Sequence, residues 1–135
     1  MTEPKPQDDV FVRVVPSGEV YLKSRRTRDR FLRGLLGNLR AGLRRAGIAG
    51  SVRRTGHHEI GIFSADIDGA AALAARTFGV NRAEQVVQVE FESLEQLSKL
   101  VAEISRDQVS GRTFAVRVRR RGSHQWSSKD AEVEI

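Results

Sequence analysis

The sequence contains no cysteine among its 135 residues. This absence excludes disulfide bonds, a thiol nucleophile and a cysteine-ligated metal. The sequence also has no apolar run long enough to cross a bilayer, and Met1 to Asp9 lack the apolar segment of a signal peptide. We therefore expect a cytoplasmic location without a membrane partner, and we predict that residues 1–9 are a disordered lead-in.

Lysine is scarce, although the chain carries a net charge of +6. Only four of the 23 basic residues are lysines, so 19 are arginines. A strongly basic small protein attracts polyanions, and the planar guanidinium group matches phosphate in a two-pronged geometry. General solubility is the alternative explanation, and clustering of the arginines would favour a binding surface.

One cluster of arginines lies near the end of the sequence, between Gly111 and Gly122. Apolar and basic residues alternate there, with Phe114, Val116 and Val118 on one face of a predicted strand and Arg117, Arg119 and Arg121 on the other. His124 and Trp126 follow and add a hydrogen-bond donor and a stacking surface. This pattern indicates the edge of an RNA-binding surface. An exposed strand that uses arginines for solubility and edge protection is the alternative.

A second cluster lies on a predicted helix from Thr27 to about Ala46. Its apolar face is formed by Phe31, Leu32, Leu35, Leu36, Leu39 and Leu43. The opposite stripe carries Arg26, Arg33, Arg40 and Arg44, with Arg30 beside it. The stripe is either a phosphate-binding surface or a solvated helix face.

The order of predicted elements indicates a split βαβ, ferredoxin-like α+β domain over residues 10–91. The predicted strands are Val10–Val15, Ser51–Thr55, His58–Phe63 and Gln85–Phe91, and a second helix spans Ile67–Thr77. Glu19–Ser24 is predicted to be an extended link. His57 and His58 are turn residues or, if a third ligand existed nearby, part of a metal site; no such ligand is apparent.

Residues 92–135 are predicted to form the start of a second α/β domain. Ser93 and Gln96 form the capping pattern of a third helix, and Ser127 and Asp130 form that of a short fourth helix. A helix, one strand and a short helix are too little for an independent domain. We therefore predict that this domain is partial.

Two stretches carry a recognisable pattern. Gly18–Ser24, Thr27-Arg28, Phe31, Leu35 and Asn38–Arg40 form one, and Gly111–Phe114, Arg117–Gly122, His124 and Ser127–Asp130 form the other. They resemble the N-terminal ferredoxin-like domain and the start of the THUMP domain of the tRNA 4-thiouridine synthetases, or tRNA sulfurtransferases. The resemblance implies domains that hold tRNA, with the THUMP domain gripping its 3′ CCA end. It also implies a separate domain that uses ATP to thiolate a uridine, and often a role in thiamine biosynthesis.

The sequence departs from that family in its catalytic parts. It contains no Ser-Gly-Gly-x-Asp-Ser loop for ATP and no cysteine to carry persulfide sulfur. The resemblance therefore implies a tRNA-binding portion that holds no cofactor and has no activity alone. The residues expected to contact RNA are Lys23, Arg26, Arg33, Arg40, Arg117, Arg119, Arg120, Arg121, His124 and Trp126. Trp126 is alternatively a packing anchor, and His124 a surface turn residue.

Two other classes of function stay open at this point. An independent enzyme would need a nucleophile or an acid–base pair, but the carboxylates are scattered, and Asp66 and Asp68 have the positions of helix caps. A non-catalytic RNA-binding module is the other possibility, either as a truncated gene product or as a split subunit with a separate catalytic chain. We expect no preference for DNA.

Overall fold

A computed structural model describes residues 9–135, apart from the side chain of Tyr21. The elements in chain order are β1 (Val10–Pro16), a 3-10 helix (Gly18–Leu22), α1 (Arg25–Ala46), β2 (Ser51–Arg54), β3 (Ile60–Phe63), α2 (Ile67–Ala75), β4 (Val80–Val87), α3 (Leu94–Val109) and α4 (Ser128–Glu134). The predicted α+β class and the predicted order of the first six strands and helices are confirmed. Residues 1–8 of the predicted lead-in lie outside the described residues.

The chain divides into two compact units, one ending at Gln88 and the other spanning Val89–Ile135. In the first unit the four strands form an antiparallel sheet in the order β2-β3-β1-β4. Strand alternation turns Val12 and Val14 of β1, and Ile60 and Ile62 of β3, towards the core, where all four are fully buried. Helix α1 supplies the largest share of the remaining core side chains: Leu32, Leu35, Leu36, Leu39 and Leu43.

Helix α1 forms where its apolar residues repeat at helical spacing. The Oγ atom of Ser24 accepts a hydrogen bond from the backbone N–H of Thr27 and caps the first turn, so the helix begins two residues earlier than predicted. Gly47 ends it in the left-handed conformation, with φ of 69°. Gly42 packs closely against α2, because a Cβ atom there would lie 3.2 Å from Leu73 Cδ2.

Two predictions for the first unit are wrong, one about the segment before α1 and one about the bounds of the last strand. Residues Glu19–Ser24 are not an extended link, because Gly18–Leu22 form a 3-10 helix that buries Val20. The last strand runs over Val80–Val87 and not over Gln85–Phe91. This strand lies at the sheet edge, where exposed residues such as Asn81 and Arg82 are tolerated, so its sequence lacks a continuous apolar pattern.

In the second unit both predicted helix starts are confirmed. Ser93 Oγ accepts a hydrogen bond from the backbone N–H of Gln96 at the start of α3. At the start of α4, Ser127 and Asp130 form a reciprocal capping box. A hydrogen bond of 2.9 Å from Ser98 Oγ to the carbonyl of Glu134 joins α3 to α4.

The predicted arginine-bearing strand is wrong. Residues 113–121 form no strand, because a strand needs a neighbour to pair with and all four described strands lie in the first unit. The backbone N–H of Val118 instead donates to Glu132 Oε1 of α4 at 3.0 Å. Val116 and Val118 are half-buried, whereas Phe114 is 61% exposed, so only part of the predicted apolar face is covered.

The capping box of α4 predicts a dependence on pH. The hydrogen bond from the backbone N–H of Ser127 lowers the pKa of the Asp130 carboxyl below its ordinary value of 3.8. The cap is therefore fully present above pH 3.8 and is lost as the pH falls through the lower folded value. We expect the amide protons of α4 to lose protection from exchange in that acidic range, as followed by NMR. In an Asp130→Asn variant, the amide protection of α4 should not change in this acidic range. The same loss of protection in that variant would show that the Asp130 carboxyl is not its cause.

Candidate nucleic-acid interface

The predicted arginine stripe of α1 lies on the exposed side of the helix. Arg26, Arg33, Arg40 and Arg44 are all exposed, opposite the buried leucines. The first turn of the helix contains no acidic residue. The positive end of the helix dipole therefore meets arginines, an arrangement that disfavours the isolated helix by about 0.3–1 kcal/mol per exposed charge and favours an anionic partner.

The side chain of Arg40 forms hydrogen bonds within the protein. Its Nε and Nη2 atoms donate to the backbone carbonyl of Val52 at 3.3 and 2.8 Å. Val52 belongs to β2, the edge strand nearest this helix, so the guanidinium group satisfies a carbonyl at the sheet edge. Arg33, by contrast, makes no hydrogen bond or ion pair with the described residues and is available to a ligand.

This difference predicts separate effects for two matched variants. Arg40→Gln should lower the free energy of unfolding by about 0.5–1.5 kcal/mol, because it removes two hydrogen bonds to Val52. Arg33→Gln should leave stability within about 0.5 kcal/mol of the parent. Urea denaturation of both variants measures this, and equal stability of the two proteins would show that the contact with Val52 contributes nothing.

Lys23 lines an open cavity of about 480 Å³ beside the 3-10 helix. Phe31 and Phe78 also line this cavity, and Phe78 is 92% exposed. Such an exposed aromatic ring offers a stacking surface next to a cation. The sequence analysis missed Phe78, although an aromatic residue directly before Gly79, in a turn, is a usable signal.

Four arginines of the second unit lie in the irregular segment 113–121 and are all exposed: Arg117, Arg119, Arg120 and Arg121. Arg117 Nη1 donates to its neighbouring carbonyl, that of Val116, at 3.0 Å. Arg120 Nη1 donates to the carbonyl of Trp126 at 2.7 Å and closes the turn that follows. Arg119 and Arg121 direct no side-chain hydrogen bond to the described part of the chain. The segment thus presents four guanidinium groups without the flat strand face that the sequence predicts.

His124 and Trp126 form a small aromatic cluster in the second unit. Their rings stack with centroids 4.8 Å apart and planes at 20°, and the Trp126 ring lies 6.3 Å from that of Phe91. His124 Nε2 lies 2.6 Å from the carbonyl oxygen of Arg121. Trp126 is half-buried and packs against its neighbours, whereas His124 is exposed and remains accessible to a ligand.

A second open cavity, of about 620 Å³, lies in the first unit between α1 and the turn that joins β2 to β3. Its basic lining consists of Arg25, Arg28, Arg54, His57 and His58. His57 and His58 lie in the turn, with ring centroids 6.4 Å apart. No cluster of three or more metal-ligating residues occurs within residues 9–135. The sequence analysis did not assign these arginines, although the spacing of Arg25 and Arg28 places both on one side of α1.

Curated proteins named tRNA sulfurtransferase match the chain along most of its length. The protein from Desulfurococcus amylolyticus is 34% identical over 122 residues, which are 90% of this chain and 25% of the relative. A probable tRNA sulfurtransferase from Aeropyrum pernix is 37% identical over 88% of this chain and 31% of the relative. The protein from Aliivibrio fischeri is 34% identical over 88% of this chain and 25% of the relative. The chain matches the N-terminal region of the tRNA sulfurtransferases.

The match to tRNA sulfurtransferases confirms the resemblance predicted from the sequence. It covers 88–90% of this chain, which is more than the first unit contains, so it includes residues of both units. The chain spans only about a quarter to a third of the length of these relatives. No protein-family model and no solved structure matches the chain. Within the described residues, no helix is both long and apolar enough to span a membrane.

Proposed function

We propose that this chain is the tRNA-binding portion of a tRNA sulfurtransferase of the 4-thiouridine type. The observation that carries the proposal is the match of both units to proteins named tRNA sulfurtransferase. The exposed arginines of α1 and of residues 113–121 support it, because clustered guanidinium groups are the electrostatic footprint of a nucleic-acid-binding surface.

The proposal includes a finer description of the fold. Residues 10–91 form a ferredoxin-like domain, and residues 92–135 form part of a THUMP-type domain. The βαββαβ order of the first unit and its antiparallel sheet with β1 and β3 in the centre support the first assignment. The second assignment rests on the sequence resemblance of Gly111–Gly122 and the residues after it.

Binding in this proposal depends mainly on phosphates. Exposed arginines such as Arg33 and Arg119 neutralise phosphate charge and release counterions, which makes the affinity strongly dependent on salt. Side chains read the edges of an A-form helix poorly, so recognition depends on the shape of the tRNA and on its unpaired end. His124 and Trp126 are candidates to contact an unpaired base, with a stacking contribution of about 1–3 kcal/mol for each base.

Chemistry in this proposal takes place outside the chain. Thiolation needs ATP and a sulfur-carrying thiol, and the sequence contains neither the phosphate-binding loop of the family nor a cysteine. Another domain or a separate catalytic chain supplies both, in the cytoplasm. A role in thiamine biosynthesis would belong to that catalytic part. This chain then contributes by positioning the substrate RNA, since a correctly held reactant accounts for much of the rate of an enzymatic reaction.

The test is a fluorescence-anisotropy titration of the purified chain with labelled tRNA, at about 50 and 200 mM salt. The tRNA is used with its 3′ tail intact and with the tail removed. We expect binding that weakens steeply with salt and that is tighter for the intact tail. Equal, salt-sensitive binding to both forms would indicate a basic platform without recognition of the end, and absence of binding at the lower salt concentration would refute the proposal.

A pair of variants sharpens this titration. Arg119→Gln removes an exposed guanidinium group, and the slope of log affinity against log salt should fall by about one unit. Lys99→Gln is the control, because Lys99 pairs with Glu95 on the surface of α3 and lies outside the predicted contacts. An unchanged slope for Arg119→Gln would remove that residue from the interface.

A further inference from the structure

The cavity beside the first turn of α1 is lined by cationic groups from two separate elements. Arg25 and Arg28 come from the helix, and Arg54 comes from the end of β2, where the turn with His57 and His58 begins. The volume is about 620 Å³. Donors from two elements can approach a small anion from more than one side, which the convex outer stripe of α1 cannot do.

The wall of this cavity formed by the turn is fixed in place. Arg54 Nη1 pairs with Asp29 Oδ1 of α1 at 3.3 Å, and Arg54 Nη2 donates to the carbonyl of His57 at 3.0 Å. One guanidinium group therefore ties the turn to the helix. The position of the Arg54 guanidinium group is therefore set before any ligand arrives, and such preorganisation favours binding.

Arg28 has binding capacity that the protein does not use. Its Nε atom is buried and has no hydrogen-bond partner in the described part of the chain. Buried N–H groups in proteins are almost always paired with protein, water or a ligand. The Arg28 side chain also lines the cavity, where an anion would provide an acceptor for its guanidinium group.

The charge of the lining matches a doubly charged anion. Arg25, Arg28 and Arg54 contribute three positive charges and Asp29 one negative charge, which leaves two positive charges with both histidines neutral. A phosphate monoester carries a charge of about −1.5 to −2 at neutral pH and has three free acceptor oxygens. An internal phosphodiester carries one negative charge and has two free oxygens, so it would neutralise less of this positive charge and accept fewer hydrogen bonds.

We propose that this cavity binds the terminal phosphate monoester of an RNA substrate. The inference rests on the proposed function and adds to it a site in the first unit that holds one end of the RNA. The volume accommodates the phosphate together with the sugar that bears it. Gly56, which has no side chain, forms part of the lining at the turn.

The experiment compares the same tRNA with a 5′-phosphate and, after phosphatase treatment, with a 5′-hydroxyl. Affinities are measured by anisotropy for the parent chain, for Arg28→Gln and for Arg44→Gln. We expect the parent chain to bind the phosphorylated tRNA about tenfold more tightly, because charge-assisted hydrogen bonds to a dianion are strong. Arg28→Gln should abolish that ratio. Arg44→Gln is a matched control at the other end of α1, and it should weaken binding of both RNAs while keeping the ratio.

Three other outcomes of this experiment would contradict the terminal-phosphate site. Equal binding of the two RNAs by the parent chain overturns the terminal-phosphate site and leaves tRNA binding intact. Binding of neither RNA overturns both this site and the proposed function. A ratio that survives in Arg28→Gln places recognition elsewhere and also overturns the site. Arg25→Gln, whose side chain is exposed, repeats the test if Arg28→Gln melts at a lower temperature than the parent, and it should likewise reduce the ratio.

Discussion

Leu39→Ala is expected to lower the free energy of unfolding of the first unit by about 2–5 kcal/mol. Leu39 is 0% exposed, in the central part of α1 against the sheet. Its truncation removes buried apolar contacts and leaves a cavity that the surrounding leucines and valines fill only partly. Small domains have a total stability of about 5–15 kcal/mol, so this one change removes a large share of the stability of the unit.

Leu22→Ala is the matched control for this prediction. It is the same substitution, but Leu22 is 87% exposed, so we expect a change within about 0.5 kcal/mol. Urea denaturation followed by circular dichroism measures both variants. If Leu39→Ala melted like Leu22→Ala, the assignment of the α1 leucines to the core would be wrong.

Gly79→Ala is expected to destabilise the first unit by about 1–3 kcal/mol through backbone strain alone. Gly79 has φ of 90°, which side chains disfavour, and a Cβ atom there would lie 2.7 Å from Cζ of Phe31. The carbonyl of Gly79 also accepts a hydrogen bond from the backbone N–H of Ser17 at 2.8 Å. Strain, the clash with a ring and displacement of this hydrogen bond all act in the same direction.

Gly37→Ala makes the same chemical change with the opposite expected sign. Gly37 lies in the exposed interior of α1, and a Cβ atom there meets nothing within 4 Å. Alanine should therefore stabilise the helix by about 0.5–1 kcal/mol. Thermal denaturation of both variants checks the pair. A Gly79→Ala protein as stable as Gly37→Ala would contradict the positive φ of residue 79.

The elements that sequence reasoning predicted well are those whose signals are local. The leucines of α1 repeat at helical spacing, and Ser93 and Ser127 start α3 and α4 through side chains that act within one turn. Such patterns do not depend on the rest of the chain. The order of the strands and helices in the first unit follows from them, and the topology of the sheet then has few alternatives.

The errors arose where the structure depends on distant partners. The alternation over residues 114–121 is a strand pattern, but a strand exists only where another strand pairs with it, and the described residues provide none. The start of β4 at Val80 is determined by pairing with Pro16, a residue far away in the sequence. Neither outcome is visible in a local window of residues.

The candidate site was predictable only in part, for the same reason. Helical spacing identified the exposed stripe that includes Arg33, but it did not reveal that Arg40 binds the carbonyl of Val52. The cavity that contains Arg28 and Arg54 joins residues from a helix and from a strand end. Only the packed structure brings these two side chains to one place.

The central position of β1 has a consequence for how the protein is made. Of the four described strands β1 leaves the ribosome first, yet its two neighbours are β3 and β4, and Val10 pairs with Val87. At about 5–20 residues per second, roughly 4–15 s separate the synthesis of these two residues. During that interval Val12 and Val14 belong to an apolar segment that has no complete sheet to join. A translation pause before Val87 would lengthen the period in which this nascent segment can associate with other chains.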